Sequence, residues 1–160
     1  MNLMKKGVVG LLLVLAACST DKTLSTEEQL AKDVATIDKY LADNNITNAI
    51  KDASGLRYVI TTPAPAGAKI PTLSNGISVK YVGKLMSTGV AFDSHPTTAV
   101  NFGTLAGLIK GWQIGFTQFG KGTVATLYIP SGLGYGSVGS PPAIPANANL
   151  IFDVTLVDVK

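Results

Sequence analysis

The sequence is poor in the side chains that most often carry covalent or metal chemistry. It has one cysteine, Cys18, and one histidine, His95, among 160 residues. A single cysteine excludes a disulfide within the chain, and so few sulfur and imidazole groups leave no credible zinc site. The scattered carboxylates lack the spacing of a calcium loop. We therefore expect no metal and no other cofactor.

The chain has almost no excess of either sign of charge once the N-terminal segment is set aside. The chain has 13 basic and 10 acidic side chains, and two of the basic ones are lysines within residues 1–17. Removing those two lysines from the 13 leaves 11 basic against 10 acidic groups. So small an imbalance gives no electrostatic footprint for nucleic acid, which we exclude as a partner.

The N-terminal segment predicts export and membrane anchoring. Two lysines precede an apolar run, Val8–Leu15, which is long enough for a signal peptide and too short to span a bilayer. The run ends in LAAC, whose cysteine is Cys18, a pattern that looks like a bacterial lipobox. We predict a signal peptide over 1–17, a lipidated Cys18 and a place in the cell envelope, facing the periplasm at the outer membrane. An ordinary signal peptide with a chance cysteine is the alternative.

A short tether, 18–24, is expected to lead into a helix. Ser25 stands three residues before Glu28, the spacing of a capping box. Apolar residues then recur at helical spacing and form one face: Leu30, Val34, Ile37 and Leu41. Together with a predicted strand at 56–61, this helix makes up an N-terminal extension, 25–61.

The main domain, 62–160, is predicted to be a largely antiparallel sheet with one short helix. It opens with a proline-rich loop over 62–71. Alternating or β-branched runs then predict strands at 77–82, 123–129 and 150–159. Leu105–Phe119 is the one plausible helix, and three glycines should keep it short. Because helices and strands do not alternate, the fold class is α+β.

Two motifs suggest a specific chemistry, but the sequence around each of them argues against it. The segment 134–139 has the G-x-G-x-x-G spacing of a dinucleotide-binding turn, but three prolines at 141, 142 and 145 forbid the helix that must follow it. We interpret it as a loop between two strands. Asp93, Ser94 and His95 have the composition of a hydrolase triad, but a triad is assembled from distant parts of the chain. We therefore interpret His95 as a loop histidine.

Aromatic side chains are the most informative group that remains. Phe116 and Phe119, at helical spacing from Trp112, could be core residues. Spacing alone leaves open whether any of the others line a cavity: Tyr81, Phe92, Phe102, Tyr128, Tyr135 and Phe152.

Three segments around these aromatics resemble the FKBP-type peptidyl-prolyl cis-trans isomerases. They are VKYVGKLMSTGVAFDS, LIKGWQIGF and IPSGLGYGSVGSPPAIPANANLIFDVTLVDV, in the family order between Val79 and Val159. The resemblance implies an antiparallel half-barrel sheet wrapped around one short helix, with a hydrophobic proline pocket between them. The N-terminal helix followed by SGLRYVI is similar to the extension of secreted bacterial members.

The resemblance also implies a role for each pocket residue. Trp112 would form the floor beneath the proline ring, Tyr135 would donate its hydroxyl to a substrate carbonyl, and Asp93 would be the carboxylate at the rim. These three are the expected catalytic residues. Substrate binding would involve the Ile109 amide, Ile144 on the loop above the pocket, and walls formed by Tyr81, Phe92, Phe102, Leu108 and Phe152.

The sequence departs from the family pattern around the carboxylate and on the loop. The segment from Asp93 to Phe102 looks about two residues shorter than in the compact archetype and lacks the arginine that often pairs with the carboxylate. Val100 stands where an aromatic is common, while Ser140 and Ala143 replace bulkier residues. Substrate preference and affinity for macrocyclic inhibitors therefore stay open.

The function implied is an isomerase that acts on proline-containing polypeptides and assists the folding of exported proteins. An apolar pocket and well-placed hydrogen bonds suffice for this reaction, so it needs no nucleophile or metal. The alternative is a proline-peptide-binding chaperone of the cell envelope with little turnover, and a purely structural lipoprotein is a third possibility. Whether the chain is a monomer or dimerises through its helix also stays open.

Overall fold

The computed structural model describes residues 24–160, so the predicted signal peptide and Cys18 lie outside the described residues. Two helices and six strands follow in this order: α1 (Thr26–Asp43), β1 (Ile50–Lys51), β2 (Arg57–Thr62), β3 (Gly76–Leu85), β4 (Ala91–Thr104), α2 (Lys110–Phe116), β5 (Val124–Ile129) and β6 (Leu150–Val159). Short 3₁₀ turns, Leu105–Gly107 and Ser131–Leu133, precede α2 and follow β5. Neither helix within 24–160 is long and apolar enough to cross a membrane.

Helix α1 begins where the capping box predicts. The Glu28 amide donates to the Ser25 hydroxyl oxygen over 3.2 Å, and the Ser25 amide donates to Glu28 Oε2 over 2.9 Å. The backbone hydrogen bond from Ser25 also holds the pKa of Glu28 below its usual range. The reciprocal bonds satisfy amides that have no partner inside a helix. The predicted start of the helix is therefore confirmed, and its C-cap residue is Asn44.

The six strands form one antiparallel sheet in the order β1-β2-β5-β6-β3-β4. Strand β6 therefore lies between β5 and β3, while β1 and β4 are the edges. The predicted bounds of β6 are confirmed, β5 and β2 each begin one residue later than predicted, and β3 extends further, to Leu85. The expected antiparallel α+β fold is confirmed.

Two parts of the sheet and its helix differ from the prediction. Strand β4 was not predicted, because it is an edge strand with mostly exposed side chains and a proline at its centre, Pro96. The stretch Leu105–Phe119 is not one helix but a 3₁₀ turn followed by α2. A glycine permits the tight packing of α2 on β5, since a Cβ at Gly111 would lie 2.6 Å from Ile129 Cγ2.

The two faces of the sheet are covered by different helices. Alternation along β5 points Leu127 and Ile129 to one face and Tyr128 to the other. The first face packs against α2 and holds the main core, which includes Trp112 and Phe116. The opposite face packs against α1 in a smaller cluster: Ile37, Leu41, Met86, Tyr128 and Ile151.

Candidate active site

Trp112 lies at the centre of an aromatic enclosure between α2 and the sheet. Its side chain is only 4% exposed. Its ring meets four neighbours edge-on, with interplanar angles of 74–83° and centroids 5.1–5.3 Å apart: Tyr81, Phe102, Phe116 and Phe152. Such T-shaped pairs are the favourable geometry for aromatic rings. The four rings give Trp112 apolar, closely packed surroundings, in which its indole N–H has no hydrogen-bond partner among residues 24–160.

Gly83 gives the wall of this enclosure its shape. Phe92 and Phe152 pack edge-on with their ring centroids 5.5 Å apart. A Cβ at Gly83 would lie 2.7 Å from an atom of each ring, so only glycine lets both rings lie across this point of β3. Sequence reasoning missed this residue. Its one signal was a glycine directly after the alternating run 77–82. The structure continues this strand through Gly83, and a glycine inside a strand often marks a close approach.

A polar cluster lies beside the aromatic rings and is built by the pairing of β3 with β4. The register places Gly83 opposite Asp93 and Tyr81 opposite His95. The Tyr81 hydroxyl donates to Asp93 Oδ2 over 2.6 Å, and His95 Nε2 lies 3.4 Å from Asp93 Oδ1. Burial, and then the hydrogen bond to Asp93, raise the pKa of Tyr81. This phenol therefore stays protonated and holds the carboxylate in one orientation.

His95 corrects one sequence interpretation. It lies within β4 rather than in a loop, and its ring packs on that of Tyr81 with centroids 5.4 Å apart. An imidazole thus stands beside Asp93, where the family resemblance leads one to expect an arginine. The side chains of His95 and Asp93 are 46% and 48% exposed, so a substrate can reach both.

The segment between β5 and β6, 130–149, forms a flap that carries Tyr135 and Ile144. Gly136 and Gly139 have φ values of +62° and +70°, and no helix follows them, which confirms the loop interpretation. Ile144 is buried in the main core. Tyr135 is 38% exposed. Burial, and then the charge of Asp93, raise the pKa of Tyr135, so its hydroxyl remains a hydrogen-bond donor.

The structure brings the predicted pocket residues together. Phe92, Phe102, Leu108 and Ile109 pack as partly buried side chains on the core that contains the other walls, and Val100, which was not among the predicted pocket residues, packs there too. Ile109 is the N-cap residue of α2, and its amide donates none of the hydrogen bonds found within the described chain.

Other surface features of the described chain do not add to this site. Two grooves of about 570 and 730 Å³ flank α1, and neither is lined by a predicted pocket residue. No group of three or more histidine, cysteine or acidic side chains in 24–160 is placed to hold a metal ion. The aromatic enclosure, the Asp93 cluster and the flap therefore remain the candidate active site.

Comparison with known proteins agrees with this geometry. Residues 67–157 match the family described as FKBP-type peptidyl-prolyl cis-trans isomerase. The chain belongs to this family. Over 109 residues it is 42% identical to FK506-binding protein 4 of Dictyostelium discoideum, covering 65% of this chain and 28% of that protein. Over 123 residues it is 38% identical to the probable isomerase FkpA of Neisseria meningitidis, covering 75% of this chain and 44% of that protein.

A solved structure aligns with more of the chain than the family-matched segment, 67–157, contains. The crystal structure of a peptidyl-prolyl cis-trans isomerase from Pseudomonas syringae pv. tomato aligns with a TM-score of 0.69 at 26% identity, covering 87% of this chain and 98% of that one. The chain spans less than half the length of the two curated relatives above. The family resemblance read from the sequence is confirmed.

Proposed function

We propose that this protein is a peptidyl-prolyl cis-trans isomerase acting on X-Pro bonds of polypeptides. The observation that carries the proposal is the aromatic enclosure around Trp112 with one accessible carboxylate, Asp93, beside it. A proline ring is small, apolar and rigid, and a cage of edge-on rings is its natural complement. Family membership supports the same activity.

The chemistry required is the lowering of a rotational barrier. Twisting an X-Pro bond costs about 18–20 kcal/mol because amide resonance is lost. Water stabilises the planar, charge-separated amide more than the twisted one, so transfer to an apolar site favours twisting. The enclosure around Trp112 would supply that transfer. Each 1.4 kcal/mol taken off the barrier is worth about a factor of ten in rate.

Hydrogen bonds would favour the twisted amide over the planar one. The Tyr135 hydroxyl stays neutral because burial and Asp93 raise its pKa, so it would donate to a substrate carbonyl. The Ile109 amide would hold a second carbonyl. Asp93, held by Tyr81, would act on the twisting bond from the rim. Contacts that fit the twisted form better than the ground state are the ones that accelerate the reaction.

The test is a proline-isomerisation assay on short X-Pro peptides with the purified protein. We expect acceleration above the uncatalysed rate, and Trp112→Leu should lower kcat/KM by at least tenfold. Phe119→Leu is the matched control, because Phe119 is a buried aromatic of the same core whose ring packs on Tyr58 and Phe116. Equal losses in both variants would reduce Trp112 to a core residue.

The same assay separates the isomerase from the chaperone alternative. A protein that binds proline peptides but leaves their isomerisation rate at background would be a holding chaperone. Binding of a macrocyclic inhibitor that competes with the peptide would place both ligands on the Trp112 enclosure. If Trp112→Leu changes neither peptide binding nor rate, the proposed function fails.

We further propose that the protein works in the bacterial cell envelope on exported clients, anchored through a lipid on Cys18. The lysine pair, the apolar run and the LAAC sequence support this. Two acyl chains are what stable membrane attachment needs. Expression in a bacterial host should yield a membrane-bound, lipid-labelled protein. Cys18→Ser should release it from the membrane fraction, and an unlabelled wild type would contradict the anchor.

A further inference from the structure

A buried carboxylate outside the candidate site joins α1 to the flap. Asp33 is only 3% exposed. Its Oδ2 accepts from the Ser131 amide over 2.9 Å and from the Ser131 hydroxyl over 2.6 Å, and its Oδ1 accepts from Gln29 Nε2 over 2.7 Å. It takes part in no ion pair within 24–160. A buried carboxylate is costly unless hydrogen-bonded, so these bonds fix both partners.

Hydrogen bonds to Ser131 hold the turn that carries Tyr135. The Ser131 carbonyl accepts from the amides of Gly134 and Gly136, over 2.9 and 2.8 Å, one on each side of Tyr135. The Ser131 amide also donates to Asn149 Oδ1 over 3.1 Å. Both ends of the flap and the turn that carries Tyr135 therefore meet at Ser131.

We propose that Asp33 is a positioning residue through which α1 sets the place of the Tyr135 hydroxyl. The proposal rests on the isomerase activity proposed above. Helix α1 lies before the family-matched segment, 67–157. If Asp33 positions Tyr135, the N-terminal extension is therefore a working part of the active site. Without Asp33, the Ser131 amide and hydroxyl lose their shared acceptor, and the turn around Tyr135 loosens.

A second tie between α1 and the sheet provides a matched control. Arg57 Nε on β2 donates to Asp38 Oδ1 over 2.9 Å, and Arg57 is 7% exposed. Removing Asp38 takes the ion-pair partner from the buried Arg57 side chain, but it does so at β2 rather than at the flap. Asp33→Ala and Asp38→Ala therefore both weaken the docking of α1, and only the first touches Ser131.

The decisive experiment measures amide hydrogen exchange and peptide isomerisation in both variants of the full chain. In Asp33→Ala, exchange at Gly134 and Gly136 should rise at least tenfold, and kcat/KM should fall about five- to tenfold. In Asp38→Ala, both should stay within twofold of the wild type. Equal changes in the two variants would overturn the proposal, because Asp33 would then only stabilise the fold.

A double-mutant cycle with Tyr135→Phe tests the coupling directly. If Asp33 works through Tyr135, removal of the hydroxyl should cost less activity in the Asp33→Ala background than in the wild type. Independent, multiplicative losses would overturn the proposal. Should Asp33→Ala fail to fold, Ser131→Ala removes one of the two bonds and decides by the same measurements. If the wild type proves inactive, the proposed function fails, while the exchange rates still decide whether Asp33 holds the flap.

Discussion

The two faces of the sheet use the same strands in different ways. Along β6, Phe152 points to the face of α2 and belongs to the edge-on aromatic enclosure, whereas its neighbour Ile151 points to α1 and packs among mostly aliphatic side chains. The carboxylates differ as well. Asp93, on the pocket face, is 48% exposed, while Asp33, at α1, is 3% exposed.

The difference shows how one sheet with alternating side chains carries the candidate active site on one face and the contacts with helix α1 on the other. On the face of α2, the Asp93 carboxylate and the Tyr135 phenol are partly exposed beside the aromatic rings, where a ligand could reach them. On the α1 face, the carboxylates of Asp33 and Asp38 are occupied by partners in the protein. The carboxylate that a ligand could reach therefore lies on the face of α2, and the carboxylates that tie α1 to the rest of the protein lie on the opposite face.

The largest expected effect is on the α1 face and should spare activity. Leu41→Ala removes a 4% exposed side chain from the smaller cluster. The lost transfer energy and the cavity should lower the free energy of unfolding by about 2–5 kcal/mol. Denaturant titration checks this. The activity per folded molecule should stay within twofold, and a loss as large as that of Trp112→Leu would break the distinction between the faces.

The next effect is on the pocket wall. Gly83→Ala places a Cβ against Phe92 and Phe152, and overpacking of this kind costs about 1–3 kcal/mol. Because the rings must shift, kcat/KM should also fall, by about tenfold. Gly103→Ala on β4 is the control, since a Cβ there meets nothing within 4 Å. Equal behaviour of the two variants in stability and assay would refute the role given to Gly83.

A smaller effect is expected when the carboxylate loses its donor. Tyr81→Phe removes the hydrogen bond to Asp93 at a cost of about 1 kcal/mol. Because the Asp93 carboxylate is then no longer held in one orientation, kcat/KM should fall about two- to fivefold, as measured with an X-Pro peptide. Tyr58→Phe, in the same core, should leave the activity unchanged. A fully active Tyr81→Phe would mean that the orientation of Asp93 is unimportant.

The smallest effect is a pH dependence of the α1 face. The hydrogen bond from Arg57 is the main cause that lowers the pKa of Asp38, against about 3.9 in an unfolded chain. The stabilisation is therefore present above about pH 4 and is lost as the pH falls through the lower folded value. Since Asp38 is partly exposed, less than about 1 kcal/mol is at stake. Urea titrations from pH 7 to pH 3 should show a shallower acid loss in Asp38→Asn than in the wild type.

Local signals in the sequence predicted local structure well. The capping box of Ser25 and Glu28 set the start of α1, and the alternating run 150–159 set β6, because each signal lies within its own element. Strand β4 escaped prediction because an exposed edge strand with Pro96 at its centre has no alternating pattern. Its existence depends on pairing with β3, which the pattern of its own residues does not reveal.

The candidate site was predictable where the family motif carried it and not beyond. Trp112, Asp93 and Tyr135 came from the resemblance, and their catalytic roles stay predictions. The role of Gly83 became visible only from its contacts with Phe92 and Phe152 on the two neighbouring strands, and that of His95 only from the β3–β4 register. Asp33 escaped notice because its partner, Ser131, lies 98 residues further along the chain.

The central place of β6 has a consequence for when the sheet can form during synthesis of the chain. Every other strand precedes β6 in the chain, yet β6 lies between β5 and β3. Until β6 is available, the sheet is two separate ribbons, β1-β2-β5 and β3-β4, with no shared hydrogen bonds. A chain still emerging from a ribosome therefore cannot complete the sheet that carries the Trp112 enclosure. The enclosure is complete only once the chain through Val159 is available to pair.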